Sequence, residues 1–495
     1  TTGIYNNFIG TAAGQSSTTA NQNTYIGWYA AYYQQVGGNN VAIGHQTLYG
    51  ASGKANSATQ NVVIGYQAGY RAEAGYGITA VGDRAFRNIS ASGSLSTAIG
   101  YGAGFYASGS FNTFVGAQAG KGGTTSAPYS SGQNNVAVGY NALTGFTTGA
   151  TNVAIGSYSL ESVTTGYANV AIGYYAGNDL TTGLRNVIIG ESAGLYETNS
   201  YNTYIGYEAG KGSSSGNASN TYNVAVGYQA LTNVRSASTN TAVGLQAGTN
   251  MDEGDDNVLL GAYSGLAMTD GSKNIVIGRD AGKDISTGNS NIAIGYQALY
   301  VENTGTYAVA IGYRSGYKNR LSGQNENVFV GSNAGRENVD GNDNVFIGFN
   351  VGYGLDGEGA SNSVAIGNHS LFYAKGNDNI AIGHDTGRYA TGSQNTFVGA
   401  QAGVGGNTSA PYSSGGSNVA MGYQALRSFT TGQQNVAIGF EAGEDITTGY
   451  YNTLLGYEAG ENLTTGASNV FIGYEAGSSK ITNIGAIAIG YRAGL

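Results

Sequence analysis

The sequence predicts an all-β fold, a parallel β-roll or β-solenoid of about 28 rungs, from a 17-residue period, a glycine closing each short apolar run, and an asparagine four residues before that glycine. Aligned on the closing glycine, called the anchor here, the 495 residues contain 28 copies from Gly10 to Gly490. Of the 27 intervals between anchors, 16 are 17 residues long, and the others run from 16 to 23. The array occupies the whole of 1–495 as one continuous domain, with longer loops at 117–138 and 400–421.

The residue before the anchor is Ile, Val, Leu or Met in every copy, and the residue three before it is Val, Ile or Thr in every copy except Asn7. Both columns face one side of an extended strand, which suits β-branched side chains. The column between them points the other way and is apolar as well: Ala in 15 copies, Phe or Tyr in eight, Val, Ile or Leu in five. A half-exposed strand would alternate apolar with polar, so both faces are expected to be covered. The burial expected of one coil is that of its Val/Ile pair, in a rung of two short strands and two turns. A lone rung buries too little to offset the entropy of ordering it, so stability must come from stacking. At about 4.8 Å per rung the stack would be a rod of roughly 130 Å. A coil this thin has one interior, and its second apolar face predicts packing against sister chains in a closed homo-oligomer.

Asparagine fills the position four before the anchor in 23 of 28 copies. Asn152, Asn169, Asn186, Asn274, Asn291, Asn435, Asn452 and Asn469 are representative, and their amides are expected either to bond from rung to rung or to close their own turns. Tyrosine follows the anchor in 12 copies, an aromatic column that could stack along the array or offer sugar rings a platform. The two longest intervals, 116–139 and 399–422, both contain GAQAG and TSAPYSSG and hold the only prolines. Loops held by a rigid scaffold often carry function, which makes Pro128, Tyr129, Pro411 and Tyr412 the candidate ligand contacts.

Composition removes several function classes. A net charge of -9 with no Lys/Arg stripe gives nucleic acid no electrostatic footing. No apolar run approaches the roughly 20 residues of a membrane span, so no membrane insertion is expected of this segment. Cysteine is absent, and the acidic clusters at Asp252, Glu253, Asp255 and Asp256 and at Asp340 and Asp343 match no calcium-loop spacing. His45, His369 and His384 fall in different rungs, read as too far apart for a shared metal site. No nucleophile, phosphate loop or dinucleotide fingerprint stands out, so neither an enzyme nor a cofactor is expected. A chain that begins at Thr1 and ends just after a repeat is read as cut from something longer or processed.

Segments such as SVAIGNHS (363–370) and NVAIGYQA-type relatives such as NIAIGYQA (291–298) resemble the head repeats of YadA-like trimeric autotransporter adhesins and the glycine-rich arrays of bacteriophage tail fibres. The resemblance implies a homotrimer of left-handed parallel β-rolls, outside the cell, at the cell surface or on a virion, used for cell adhesion. Its departures are a coil longer than that of the adhesin heads and the lack of a coiled-coil stalk. The function expected is therefore a structural extracellular attachment fibre, an adhesin head or tail-fibre shaft presenting loops to a glycan or protein receptor. The alternatives are a filament subunit stacking end to end and a polysaccharide-cleaving fibre.

Overall fold

A computed structural model describes the chain except for residues 1, 55, 90–93, 127, 214–219, 321, 355–358, 374, 410–411, 480 and 495. Its contacts divide the chain into two units, Thr1–Glu253 and Gly254–Leu495. Among the described residues there is no helix, and each unit is an all-β parallel solenoid.

In the first unit fourteen short strands, from Asn7–Ile9 to Thr241–Val243, each pair in parallel with the next in sequence. Register follows the repeat: Val153, Ala154 and Ile155 lie opposite Val170, Ala171 and Ile172, which lie opposite Val187, Ile188 and Ile189. The second unit repeats this in fourteen strands from Val258–Leu260 to Ile487–Ile489. It adds one further parallel pair, Thr304–Thr306 with Ser322–Gln324.

Most coils carry one three-residue strand where two were expected, and Val345–Phe349 and Val364–Asn368 extend it to five. The reason is backbone geometry. In the coil around Gly173, Ala168, Tyr175 and Gly177 have φ of 57°, 56° and 59°, in the left-handed region. Neighbouring coils place the same three positions there, so the chain turns too often to extend again. Apart from the pair Thr304–Thr306 and Ser322–Gln324, a second strand survives among the described residues as single bridges, such as Thr59 with Tyr76 and Ala390 with Ser413. The TTG turns bond from coil to coil instead: Thr147 Oγ1 donates to Thr164 O at 3.1 Å, and Thr430 Oγ1 to Thr447 O at 3.0 Å.

The interior also differs from the expected one. The residue two before the anchor points inward and is fully buried in coil after coil, as at Ala154, Ala171, Phe329 and Phe397. The Val/Ile pair faces outward, and Ile155 and Ile172 each remain 37% exposed. An odd number of extended residues presents one face twice, and the narrow interior takes the face that needs less volume.

That interior is balanced by volume within each coil. Where the inward residue is Phe or Tyr, the position four after the anchor is Gly or Ala; where that position is Leu or Phe, the inward residue is Ala. The two positions touch. A Cβ added to Gly335 would lie 2.5 Å from the Phe329 ring, whereas Leu299 fills the same space beside Ala293. Coils small at both positions borrow from their neighbours, as Gly316 does between Leu299 and Phe329.

The anchor is glycine for two reasons. Its φ is near +135°, as at Gly139 (135°) and Gly261 (132°), which L side chains rarely adopt. A Cβ on Gly139 would also meet the carbonyl carbon and oxygen of Gly156 at 2.7 Å. The anchors thus stack backbone on backbone.

Two measurements check this arrangement. Gly139→Ala should cost about 3 kcal/mol or more, from strain plus a backbone clash, and raise hydrogen exchange around residues 136–156. Gly53→Ala, where nothing lies within 4 Å of the added Cβ, should cost only about 1 kcal/mol. Phe329→Ala should cost about 3 to 5 kcal/mol and Gly335→Leu about 1 to 3, and the double variant should recover most of the loss. Simple additivity of the two in thermal denaturation would show that the positions do not share one volume.

Candidate functional site

The asparagines four before the anchor share the inward face and, from Asn23 onward, are buried. Asn152 shows how such a polar group is tolerated. Its backbone N–H and its Nδ2 both donate to Asn135 Oδ1, at 2.9 and 3.2 Å, and Nδ2 also donates to Gly166 O at 2.9 Å. Its own Oδ1 accepts from the backbone N–H and the Nδ2 of Asn169, both at 3.0 Å. Asn169 passes the pattern to Asn186 in the same way. In the second unit Asn274 receives Asn291, and Asn435, Asn452 and Asn469 form a further run. Asn152 and Asn169 thus bond to both neighbouring coils and to a turn carbonyl at once, with every side-chain donor and acceptor used.

The duplicated loops are built alike. Ser130 and Ser413 are buried, and each donates its backbone N–H to a coil carbonyl, Tyr106 O and Tyr389 O, at 3.0 Å. Each hydroxyl oxygen accepts a loop N–H, from Thr124 at 3.1 Å and from Asn407 at 3.2 Å. This closure folds the loop back over earlier coils. Tyr129 stacks on Tyr106 at 6.0 Å, and its hydroxyl meets Arg71 Nη1 at 3.1 Å. Tyr412 stacks on Tyr373 at 4.5 Å and on Tyr389 at 6.2 Å. Pro128 is exposed, and Pro411 lies outside the described residues.

Beside each loop is a groove. The first, of about 240 Å³, is lined by Arg84, Tyr101, Phe105, Tyr106, Gln118 and Lys121. The second, of about 440 Å³, is lined by Asp385, Arg388, Tyr389, Gln401, Thr408 and Arg427 among others. Their charges differ in kind. In the second groove Arg388 pairs with Asp385 at 3.2 Å and Arg427 with Glu444 at 3.1 Å, which neutralises both guanidinium groups.

The histidines correct a sequence expectation. His369 and His384 occupy consecutive coils, and stacking brings both to Asp385, at 3.9 and 3.4 Å. Burial and then Arg388 hold His369 below its ordinary pKa. Among the described residues the carboxylates of Glu441, Glu444 and Glu461 lie within 4.8 Å of one another; burial raises Glu441 and Glu461, followed by repulsion from Glu444 on the first and from Glu458 on the second. Of the acidic cluster near the end of the first unit, Asp252 and Glu253 both pair with Arg235, at 2.8 and 2.7 Å.

The column after the anchor stacks where rings are consecutive. Tyr423, Phe440, Tyr457, Tyr474 and Tyr491 follow one another with centroids 4.9 to 5.3 Å apart and nearly parallel planes. Rings stacked so closely hide their faces, so these runs stiffen the surface and present only edges.

Sequence reasoning missed two buried carboxylates. Seven residues after the anchor most coils bury an apolar side chain, such as Leu180 or Ile285, but two bury Glu197 and Glu302. Glu197 accepts from Tyr204 Oη at 2.9 Å and from the Asn199 N–H at 2.6 Å. Glu302 accepts from the Gly305 N–H and from Asn325 Nδ2, both at 2.9 Å. Burial outweighs these bonds and pushes each carboxyl up to about 7. The signal was available as the two acidic residues of a mostly apolar column.

No protein-family model matches this sequence, and no curated protein matches it.

Glu197 and Glu302 should make stability fall with rising pH. The folded state holds their protons up to about 7 while the unfolded chain releases them near the ordinary carboxyl value of 4.5, so the benefit is complete below 4.5 and lost between 4.5 and 7. The loss is about 3 kcal/mol per carboxylate. Glu197→Gln and Glu302→Gln should each flatten the melting temperature over that window. A wild-type profile that rises from pH 5 to pH 7.5 and is unchanged by both substitutions would contradict the assignment.

Proposed function

We propose that this chain is a structural attachment fibre that works outside the cell or on a virion, associates with copies of itself, and presents its duplicated loops and their grooves to a receptor. The observation that carries the reading is the outward Val/Ile face. On coil after coil both outward columns are aliphatic or Thr, without a charged residue, and their side chains remain partly exposed. Summed over the fourteen coils of one unit this is on the order of 1,000 Å² of apolar surface, above the roughly 300 to 600 Å² of the largest patch on a typical monomer.

A second copy is the occupant that such a face suits best. The face repeats with the coil, so a partner must repeat with the same spacing, and an identical chain does so without further design. Three copies turning these faces to one axis would cover them all, in keeping with the resemblance to trimeric adhesin heads.

Native mass spectrometry should therefore find a trimer, resistant to SDS at room temperature. Ile155→Glu combined with Ile172→Glu should weaken association at least tenfold while leaving the circular dichroism spectrum unchanged. A monodisperse wild-type monomer at micromolar concentration would end this reading.

A further inference from the structure

We infer that the groove beside the first long loop binds a carboxylated sugar residue, of the uronic- or sialic-acid class, within a polysaccharide. The inference rests on the attachment reading above and names what the fibre attaches to.

Tyr101 is the starting point. It occupies the position after an anchor, where consecutive rings elsewhere hide one another's faces. Its neighbours in that column are Asp83 and Ala117, neither of which carries a ring, and Tyr101 is 53% exposed. A phenol with a free face is a platform for the C–H face of a pyranose ring, an apolar surface rimmed by hydroxyls. The groove of about 240 Å³ that it lines holds one such residue.

The polar groups around it select an acid. Lys121 and Arg84 both line the groove, in a chain with only 20 basic residues and a net charge of -9. Lys121 Nζ is 3.3 Å from Gln118 Oε1, a neutral partner that leaves its charge uncompensated. Arg84 meets Asp83 at 3.6 Å and lies over the Tyr66 ring at 5.6 Å; with both side chains of the ion pair about 40% exposed, water weakens these contacts, and a ligand carboxylate can replace the Asp83 partner. Gln118 supplies a donor and an acceptor for hydroxyls.

The walls are fixed before any ligand arrives. Tyr106 donates its N–H to Lys121 O at 2.7 Å, packs edge-on against Phe105 at 4.5 Å, and is covered by Tyr129 from the loop. Little ordering is left to oppose binding.

The second loop provides an internal control. It has the same Tyr389, Gln401 and serine closure, but His384 stands where the first has Tyr101, Val404 where it has Lys121, and Arg388 where it has Phe105. It lacks both the free phenol and the uncompensated lysine, so one site per chain is expected.

Titration calorimetry of the full chain with trigalacturonate, with an α2,8-linked sialic acid trimer, and with maltotriose as the uncharged control tests this. At least one acidic trimer should bind with one site per chain and maltotriose should not. Tyr101→Ala and Lys121→Gln should each weaken binding tenfold or more, while His384→Ala leaves it unchanged. Failure of both acidic trimers, equal binding of maltotriose, two sites per chain, or indifference to Tyr101→Ala would overturn the inference. Native mass spectrometry on the same samples separates the two readings. An intact trimer that binds no acidic sugar removes this site alone, whereas a monomer removes the fibre reading.

Discussion

Everything in the two units depends on how closely one coil lies on the next at the anchor glycine. There the backbone turns with φ near +135°, and the next coil's carbonyl lies where a side chain would begin. Because no side chain separates the coils at that point, the strands on one side and the asparagines before them come into bonding range with a constant register. The Asn135–Asn152–Asn169 run works only because each amide meets the next at hydrogen-bond distance. A buried amide out of step would be an unsatisfied polar group, which is costly, so the glycine stack and the amide run enforce the same register.

The interior is narrow, and a second rule follows from that. At the two touching positions of a coil there is room for a single large side chain, supplied either by the strand or by the turn that follows. Phe329 with Gly335 and Ala293 with Leu299 are the two solutions, and coils small at both places are filled by neighbours. Carboxylates enter this space hydrogen-bonded and with a raised affinity for the proton, as Glu197 and Glu302 show. The long loops leave it undisturbed, because their buried serines tie each insertion back to the stack before and after the excursion.

With the small face of the strand turned inward, its branched aliphatic face is left outside. That is an unusual allocation for a β structure, and the proposed function rests on it. A surface that repeats with the coil invites a partner that repeats likewise, while the insertions give the array local features. The same loop, placed twice, frames two grooves with different chemistry, one with an open phenol and an uncompensated lysine, the other with arginines already paired.

Much of this was legible in the residues. Period, parallel stacking in sequence order and the unbranched anchor follow from self-similarity, because only a repeated backbone conformation needs the same residue types at the same spacing. The trade-off between strand and turn volume could also be read from an internal alignment. Which strand face lies inside could not, since both are apolar and the choice depends on the width of the coil. Nor could the convergence of His369 and His384 on Asp385, or the isolation of Tyr101 in a groove with Lys121 and Arg84, because those contacts join residues whose separation in space is set by the stacking distance and by where the turns fall. The one-dimensional pattern determined the unit and its repetition; three-dimensional packing decided what each face buries, because volume and distance are properties of neighbouring coils together.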